Sequence, residues 1–398
     1  MYLDMQNRLL ESAPLLRLAV CLIVGIVISR YVLLPIPILP LLAIMVVITM
    51  LLWKYENLQS IAILVCFLFV GMFLMQRHLT TNDDLQSVSR LDNSKAFFLN
   101  QRGILLDRLA DSGVDGDAYA VVAAMALGDK TALTHELRDT YSVSGASHVL
   151  ALSGLHLGII YGLLWLLLPH RRWPAVSQTI ILVAMWLYVL LVGMPVSVVR
   201  SAVMLSVYGL LSIGHRNKMS VNALAFTAIV MLMWNPEWLF DIGFQLSFMA
   251  VLAILLFVPV FEDVFSAKYL QEHRLVRYIW GLVAVSVSAQ IGVAPLIAFY
   301  FGRLSTYFLL TNFVVLPAAY LILGFSLIVL LFPSLAYILL YIVDSLNAIL
   351  LRITTIPGSS IDGFHPNVLQ VVLTYVIIFC VYLLIERIKP ALGWKALR

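Results

Sequence analysis

Apolar runs of about 20 residues recur along most of this chain and leave only short polar loops between them. A helix needs about 20 apolar residues to cross a bilayer, where its backbone groups must find hydrogen bonds within the segment. The sequence therefore predicts an all-α fold, a polytopic transmembrane bundle of about 12 helices. The predicted spans are 15–34, 38–53, 58–75, 146–168, 175–193, 197–213, 219–234, 238–261, 278–301, 306–332, 335–356 and 366–386.

Composition argues against a soluble protein with a large core. Of the 398 residues, 62% are hydrophobic and 12% are charged, whereas ordinary soluble domains carry about 45–50% apolar and about 25% charged residues. The net charge of +4 is small and does not by itself indicate a nucleic-acid partner. The three cysteines lie singly in apolar runs, which favours neither a disulfide framework nor a metal site. Without a Walker A loop or a soluble-type catalytic motif, we expect neither enzyme activity nor a cofactor.

Basic residues predict the orientation of the bundle. Lysine and arginine cluster in loops that fall on one side of the predicted spans, and such loops face the cytoplasm in membrane proteins. We therefore expect both termini to be cytoplasmic. The residues concerned are Arg8, Lys54, Arg171, Arg172, Arg216, Lys218, Lys268, Arg274, Arg277, Arg387, Lys389, Lys395 and Arg398.

Three regions follow from this threading. We expect an N-terminal three-helix membrane segment at 1–75, an outside helical region at 76–145, and the transmembrane core at 146–390. Within the outside region, 117–127 is rich in alanine and 133–143 has an amphipathic helical rhythm. Both patterns predict helices, the second of which leads directly into the core.

Polar residues occupy the first predicted span of the core. His148, Ser153 and His156 lie within it or at its edge, and ionisable residues at that depth usually face a bundle interior or water. Ser153 and His156 share a helical face at i, i+3. Three interpretations remain open: hydrogen bonds between helices, the lining of a pathway, or an intramembrane hydrolase that uses Ser153 and a histidine base. A zinc site from His135, His148 and His156 lacks the usual ligand spacing.

Glycines recur at every fourth position of the same segment. Gly154, Gly158 and Gly162 form a doubled GxxxG stripe. Because such stripes let a second helix approach closely, we interpret the three glycines as helix-packing positions.

Further polar residues lie within the later spans and complete the predicted pathway lining. Arg200 follows a proline-interrupted turn, while Asp241 and Gln245 share a helical face at i, i+4. Arginine at membrane depth needs a partner or water, so Asp241 is the predicted partner of Arg200. The alternative is an interfacial arginine that extends to the surface. Gln290 and Asn312 are two more buried candidates, and each could instead hold helices together.

Four strings resemble, in order and spacing, the blocks of the ComEC-type competence proteins, a family of DNA-internalisation membrane channels. The resemblance covers about 117–385. The strings are ALGDKTALTHELRDTYSVSGASHVLALSGLHLGII (126–160), GMPVSVVRSAVML (193–205), NPEWLFDIGFQLSFMAVLAILLF (235–257) and AQIGVAPLIAFYFGRLSTYFLLTNFVVLP (289–317).

The resemblance implies an inner-membrane channel that takes up single-stranded DNA during natural transformation of a bacterium. It further implies a separate DNA receptor, nuclease and cytoplasmic ATPase, with the lipid bilayer and a second copy of the chain as other partners. The family's C-terminal metallo-β-lactamase-like domain has no counterpart in this sequence, so we expect a short form. Two other classes stay open: a transporter or channel for a small or amphipathic solute, and the hydrolase.

Overall fold

Helices account for nearly all of the chain that the structure describes. The computed structural model describes residues 14–32, 38–81, 89–168, 173–213 and 221–388. Within these ranges, 8 helices are long and apolar enough to cross a membrane, and five shorter apolar helices accompany them. The predicted all-α polytopic fold is confirmed, and the chain is a multi-pass membrane protein.

The helices of the membrane type follow the predicted apolar runs closely, and shorter or more polar helices lie between them. The first group is α1 (Pro14–Tyr31), α2 (Ile38–Leu51), α3 (Glu56–Thr81), α4 (Ser89–Asp111) and α5 (Gly116–Val122). The middle group is α6 (His135–Val143), α7 (Ser147–Leu150), α8 (Gly154–Leu167), α9 (Pro174–Leu191), α10 (Val196–Ile213) and α11 (Val221–Trp234). The last group is α12 (Ile242–Glu262), α13 (Ala267–Glu272), α14 (Arg274–Phe301), α15 (Phe308–Leu331), α16 (Ala336–Thr354) and α17 (Val368–Ile388).

The chain folds into two compact units, and each is discontinuous in sequence. The first unit comprises residues 1–93 and 203–245, and the second comprises 94–202 and 246–398. In the first unit, α1 and α3 pack through a reciprocal pair of glycines. A Cβ added at Gly25 would overlap the backbone oxygen of Leu68, and one at Gly71 would overlap that of Leu22. Only glycine therefore allows these two helices to approach so closely.

The hydrophobic core of the second unit surrounds α5. A π-helical turn, Ala123–Leu127, continues this helix, and Val121, Val122 and Met125 are fully buried. They share one cluster with apolar side chains of α15 and α16, among them Val315 and Leu339. The segment 116–143, predicted as an outside region, thus packs on helices of the membrane type. Its depth relative to the bilayer stays a prediction.

A short β-ribbon in the second unit joins the segments that follow α14 and α16. Strand β1 (Arg303–Ser305) pairs antiparallel with β2 (Ser360–Asp362). Arg303 donates through Nη1 to Asp139 at 2.8 Å and through Nε to Asp362 at 2.7 Å. The hydrogen bond to Asp139, followed by that to Asp362, raises the pKa of Arg303 above its ordinary value. Three segments predicted on the same face of the membrane therefore meet here.

Which face is cytoplasmic stays a prediction. Several of the basic residues on which the orientation depends lie outside the described residues. They are Arg8, Arg171, Arg172, Arg216, Lys218, Lys389, Lys395 and Arg398.

Candidate functional site

The predicted span 146–168 is interrupted. Helix α7 is a single turn, the next three residues are not helical, and α8 begins at Gly154. The backbone of Ala151 and Ser153 is extended, with φ of −93° and −137°. We call residues 151–153 the helix break. At membrane depth, non-helical backbone is tolerated only where protein or water satisfies its polar groups, so the break needs partners of one of these kinds.

Ser153 and His156 cap the helix that follows the break. The Nδ1 atom of His156 lies 3.0 Å from Ser153 Oγ and accepts the backbone N–H of Ser153 at 3.3 Å. An accepting Nδ1 assigns the proton of the neutral ring to Nε2. His156 is only 1% exposed, and among the described residues Nε2 has no hydrogen-bond partner. A buried donor left in this way favours an incoming acceptor, such as water or a solute oxygen.

The same contact bears on the hydrolase interpretation. A nucleophile and its base lie within hydrogen-bond reach, as Ser153 and His156 do, but a third group normally orients the base. No side chain among the described residues accepts a hydrogen bond from Nε2, although the backbone of Val149 interacts with the imidazole ring. Because Nδ1 also accepts a backbone N–H, helix capping accounts for the geometry by itself.

The start of α10 lies against the helix break. Ser197 Oγ donates to the backbone oxygen of Leu152 at 2.7 Å, and a Cβ added at Gly154 would lie 2.9 Å from Ser201 Oγ. Arg200 is three residues after Ser197, so it shares this helical face, and it is only 3% exposed. The N-termini of α8 and α10, which carry partial positive charge, therefore converge beside a buried arginine. We call the N-termini of α8 and α10, with Ser153, His156, Ser197, Arg200 and Ser201, the polar junction.

Strained and irregular backbone surrounds the polar junction. Met194, two residues before α10, has a φ of 58°, which is rare for a side-chain-bearing residue and costs about 1–3 kcal/mol. Gly128 follows the π-helical turn with a φ of 72°, and any side chain there would overlap Leu152 of the helix break. Tyr188 donates to the backbone oxygen of Ala126 at 2.9 Å. Strain and π-helical turns both cluster at functional sites.

The start of α15 contacts the loop on the other side of α7. Thr311 is fully buried, and its hydroxyl donates to the backbone oxygen of Ser144 at 2.7 Å. Its neighbour Asn312, a predicted pathway residue, has a buried Oδ1 without a hydrogen-bond partner among the described residues. His148, in α7, is exposed, and its Nδ1 lies 3.1 Å from the backbone oxygen of Gly145.

The three remaining candidates for pathway lining are Asp241, Gln245 and Gln290. Asp241 Oδ1 accepts the backbone N–H of Phe244 at 2.8 Å and so caps α12. Gln245 donates to the backbone oxygen of Leu239 at 3.0 Å. Gln290 is half-buried on α14. The pairing of Arg200 with Asp241 stays a prediction.

The glycine stripe contributes one close contact. Gly154 meets Ser201, but nothing among the described residues lies within 4 Å of a Cβ added at Gly158 or Gly162. That Gly158 and Gly162 pack against another helix therefore stays a prediction. Sequence reasoning missed the glycines that do bring helices together, which are Gly25, Gly71 and Gly292.

Fold and site together define a polytopic helical membrane protein with a broken helix and buried polar groups beside it. Within the described residues, no group of three or more His, Cys, Asp or Glu side chains could hold a metal ion. The competence protein family model matches residues 125–388, which include all four strings quoted above. The chain belongs to the competence protein family, and the predicted resemblance is confirmed.

Two curated proteins are similar to the chain. ComE operon protein 3 of Bacillus subtilis (strain 168) is 29% identical over 249 residues, which are 62% of this chain and 30% of that protein. An uncharacterized protein of Aquifex aeolicus (strain VF5) is 32% identical over 201 residues, which are 50% of this chain and 45% of that protein. The chain thus matches less than half the length of either relative. No solved structure matches it.

Proposed function

We propose that the chain acts in DNA uptake for competence, as a membrane channel for single-stranded DNA. Membership of the competence protein family supports the role in uptake. The polar junction is the observation that supports a channel, because a helix interrupted at membrane depth lines a cavity or is buried in protein. The channel lies in the bacterial cytoplasmic membrane with both termini in the cytoplasm.

The chemistry of the polar junction suits a chain of phosphates. Arg200 and the Nε2–H of His156 are donors, and the first turns of α8 and α10 add backbone N–H groups and positive partial charge. A translocating strand needs water, donors and weak binding at several places, so that each phosphate can leave as easily as it enters. One buried arginine among neutral donors suits the passage of a DNA strand better than its tight retention.

In this proposal the chain itself does not hydrolyse DNA. A separate receptor would deliver the DNA, a separate nuclease would degrade the second strand, and a cytoplasmic ATPase would supply energy. Pore formation could involve one copy of the chain or a homo-oligomer. Capping of α8 accounts for Ser153 without a catalytic role.

A transporter for a small or amphipathic solute is the second candidate. The substrate sites of secondary transporters are typically formed by broken helices, and the helix break interrupts a predicted span before the N-terminus of α8. Uptake of DNA separates the two candidates, because a small-solute carrier would have no effect on it.

Arg200 is the residue on which to test the channel. In a naturally transformable host that depends on this chain, Arg200→Ala should lower DNase-resistant uptake of labelled linear DNA by at least about tenfold. A lost hydrogen bond to a charged group costs about 1.5–3 kcal/mol, and about 1.4 kcal/mol is tenfold. Arg200→Lys keeps the charge and should retain part of the uptake.

The matched control is Arg352→Gln, which alters an exposed arginine in the last turn of α16. It should leave DNA uptake at the parental level. All variants are compared at equal abundance in the membrane fraction. Parental uptake by Arg200→Ala would remove Arg200 from the pathway and count against the channel.

A further inference from the structure

The first unit contains a polar cavity at the ends of its apolar helices. Its volume is about 390 Å³, within the range of about 300–1,000 Å³ that is usual for small-ligand sites. Arg30 comes from the last turn of α1, and the other lining residues come from the 3-10 turn Pro236–Phe240, between α11 and α12, and its flanks. The lining residues are Arg30, Asn235, Glu237, Trp238, Phe240 and Asp241.

The cavity lies where helices of the membrane type end or begin. Helix α1 is long and apolar enough to span a membrane and ends at Tyr31, and α12, which begins at Ile242, is a second such span. Tyr31 is 76% exposed and Trp234, the last residue of α11, is 84% exposed. Exposed tyrosine and tryptophan at the ends of membrane helices mark the interface with water. We therefore expect the cavity to open at the level of the lipid headgroups.

Both signs of charge line this cavity. Arg30 Nη1 lies 3.2 Å from Glu237 Oε1, and His78 Nε2 lies 3.5 Å from Glu237 Oε2. The guanidinium of Arg30 also lies over the ring of Phe240, 5.7 Å from its centre. These contacts hold Arg30 in place, yet an arginine has five N–H donors and an exposed ion pair is worth little. Arg30 therefore keeps donors for an anion.

The carboxylates provide the opposite half of the site. Asp241 is held at the rim because its Oδ1 caps α12, and Glu237 lies next to Arg30 and His78. Two carboxylates beside one guanidinium disfavour a purely anionic ligand and suit one that carries an ammonium group next to a phosphate. Carboxylate oxygens accept hydrogen bonds, which a primary ammonium can donate and a quaternary ammonium cannot.

We propose that this cavity binds the phosphoethanolamine headgroup of a membrane phospholipid. Arg30 holds the phosphate through charge-assisted hydrogen bonds, while Glu237 and Asp241 accept hydrogen bonds from the ammonium group. The aromatic side chains Trp238 and Phe240 cover the carbon atoms between the two groups. This lipid site exists whether or not DNA passes the polar junction of the second unit.

Lipid selectivity of the purified full chain tests the site. The protein in neutral detergent receives phosphatidylethanolamine, phosphatidylcholine or phosphatidylglycerol with matched acyl chains. Native mass spectrometry measures retained lipid, and thermal unfolding measures stabilisation. Phosphatidylethanolamine should be retained in preference to the other two and should raise the melting temperature most. Soluble phosphoethanolamine, used as a further arm, should stabilise the protein less than the lipid.

Two variants connect the selectivity to the cavity. Asp241→Asn keeps the oxygen that caps α12 but removes the charge, and it should weaken phosphatidylethanolamine binding by about tenfold or more. Arg30→Gln should weaken the binding of phosphatidylethanolamine similarly. The matched controls are Arg17→Gln, an exposed arginine near the opposite end of α1, and Glu56→Gln, an exposed glutamate at the start of α3. Both should bind lipid as the parent does.

Three results would overturn this assignment. Equal retention of phosphatidylethanolamine and phosphatidylcholine would remove the role of the carboxylates. Unchanged selectivity in Asp241→Asn would place the lipid elsewhere on the protein. Stabilisation by soluble phosphoethanolamine as strong as that by the lipid would show that a free metabolite, not a membrane lipid, occupies the cavity.

Discussion

Replacing Gly292 by alanine should force apart two helices of the second unit. Gly292 lies on α14, where an added Cβ would be 2.6 Å from the Cβ of Ala253 on α12 and would overlap the backbone oxygen of Met249. Ordinary contacts of a Cβ atom begin at 3.4 Å, so the contact with Ala253 is short by about 0.8 Å in a closely packed interior. A backbone oxygen cannot rotate away, so the helix axes must separate.

The free energy of unfolding should fall by about 1–2 kcal/mol. Overpacking a well-packed site costs about 1–3 kcal/mol. The better helix propensity of alanine offsets up to about 1 kcal/mol of this loss. Separation would also stretch the hydrogen bond, 2.8 Å long, that Tyr375 donates to the backbone oxygen of Gly292. A bond of this kind is worth about 0.5–1.5 kcal/mol net.

Denaturant titration of the purified protein in detergent micelles, followed by tryptophan fluorescence, measures this change. Gly281→Ala is the control, because it alters the same helix where nothing described lies within 4 Å of the new Cβ. The control should be neutral or more stable by up to about 1 kcal/mol. If Gly292→Ala is as stable as the parent, or if both variants lose stability equally, the steric reasoning is refuted.

Two further variants address the ribbon and the helix cap. Arg303→Gln removes the ion pairs with Asp139 and Asp362, and since exposed pairs contribute about 0.2–1 kcal/mol each, stability should change little while amide hydrogen exchange in β1 and β2 becomes faster. Unaltered exchange would show that these pairs do not hold the ribbon. Ser153→Ala should lower stability by about 1 kcal/mol through loss of the cap and should retain DNA uptake. Complete loss of DNA uptake at normal protein abundance would instead favour Ser153 as part of the pathway lining, whereas loss of a hydrolytic activity with uptake intact would favour the hydrolase interpretation.

The sequence predicts the membrane helices well because an apolar run of spanning length has few alternatives to a helix in lipid. It does not predict the helix break, since Ala151 and Leu152 are apolar and no proline follows them. The one local signal is Ser153, a residue type that favours the N-cap position, before Gly154. The prediction of one continuous span over 146–168 gives no weight to that signal.

Close packing of helices is harder to read from one sequence. The stripe at Gly154, Gly158 and Gly162 repeats within one helix, and a repeat can be recognised without knowing what lies opposite. Gly25 and Gly292 occur singly, and their importance depends on a backbone oxygen of another helix that only the fold brings near. The polar junction likewise depends on contacts that only the fold creates, because Ser197 and Leu152 are distant in sequence.

The discontinuity of the two units sets the order in which the chain can be completed. Helices α1 and α3 can dock through their glycines as soon as both are inserted, but their unit also needs residues 203–245. By then residues 94–202 have been synthesised, and these wait in turn for 246–398. Neither unit can finish before the other has begun. During synthesis, each unit therefore waits for residues that follow part of the other unit in sequence, and the α15 segment with Thr311 reaches its partner Ser144 only late.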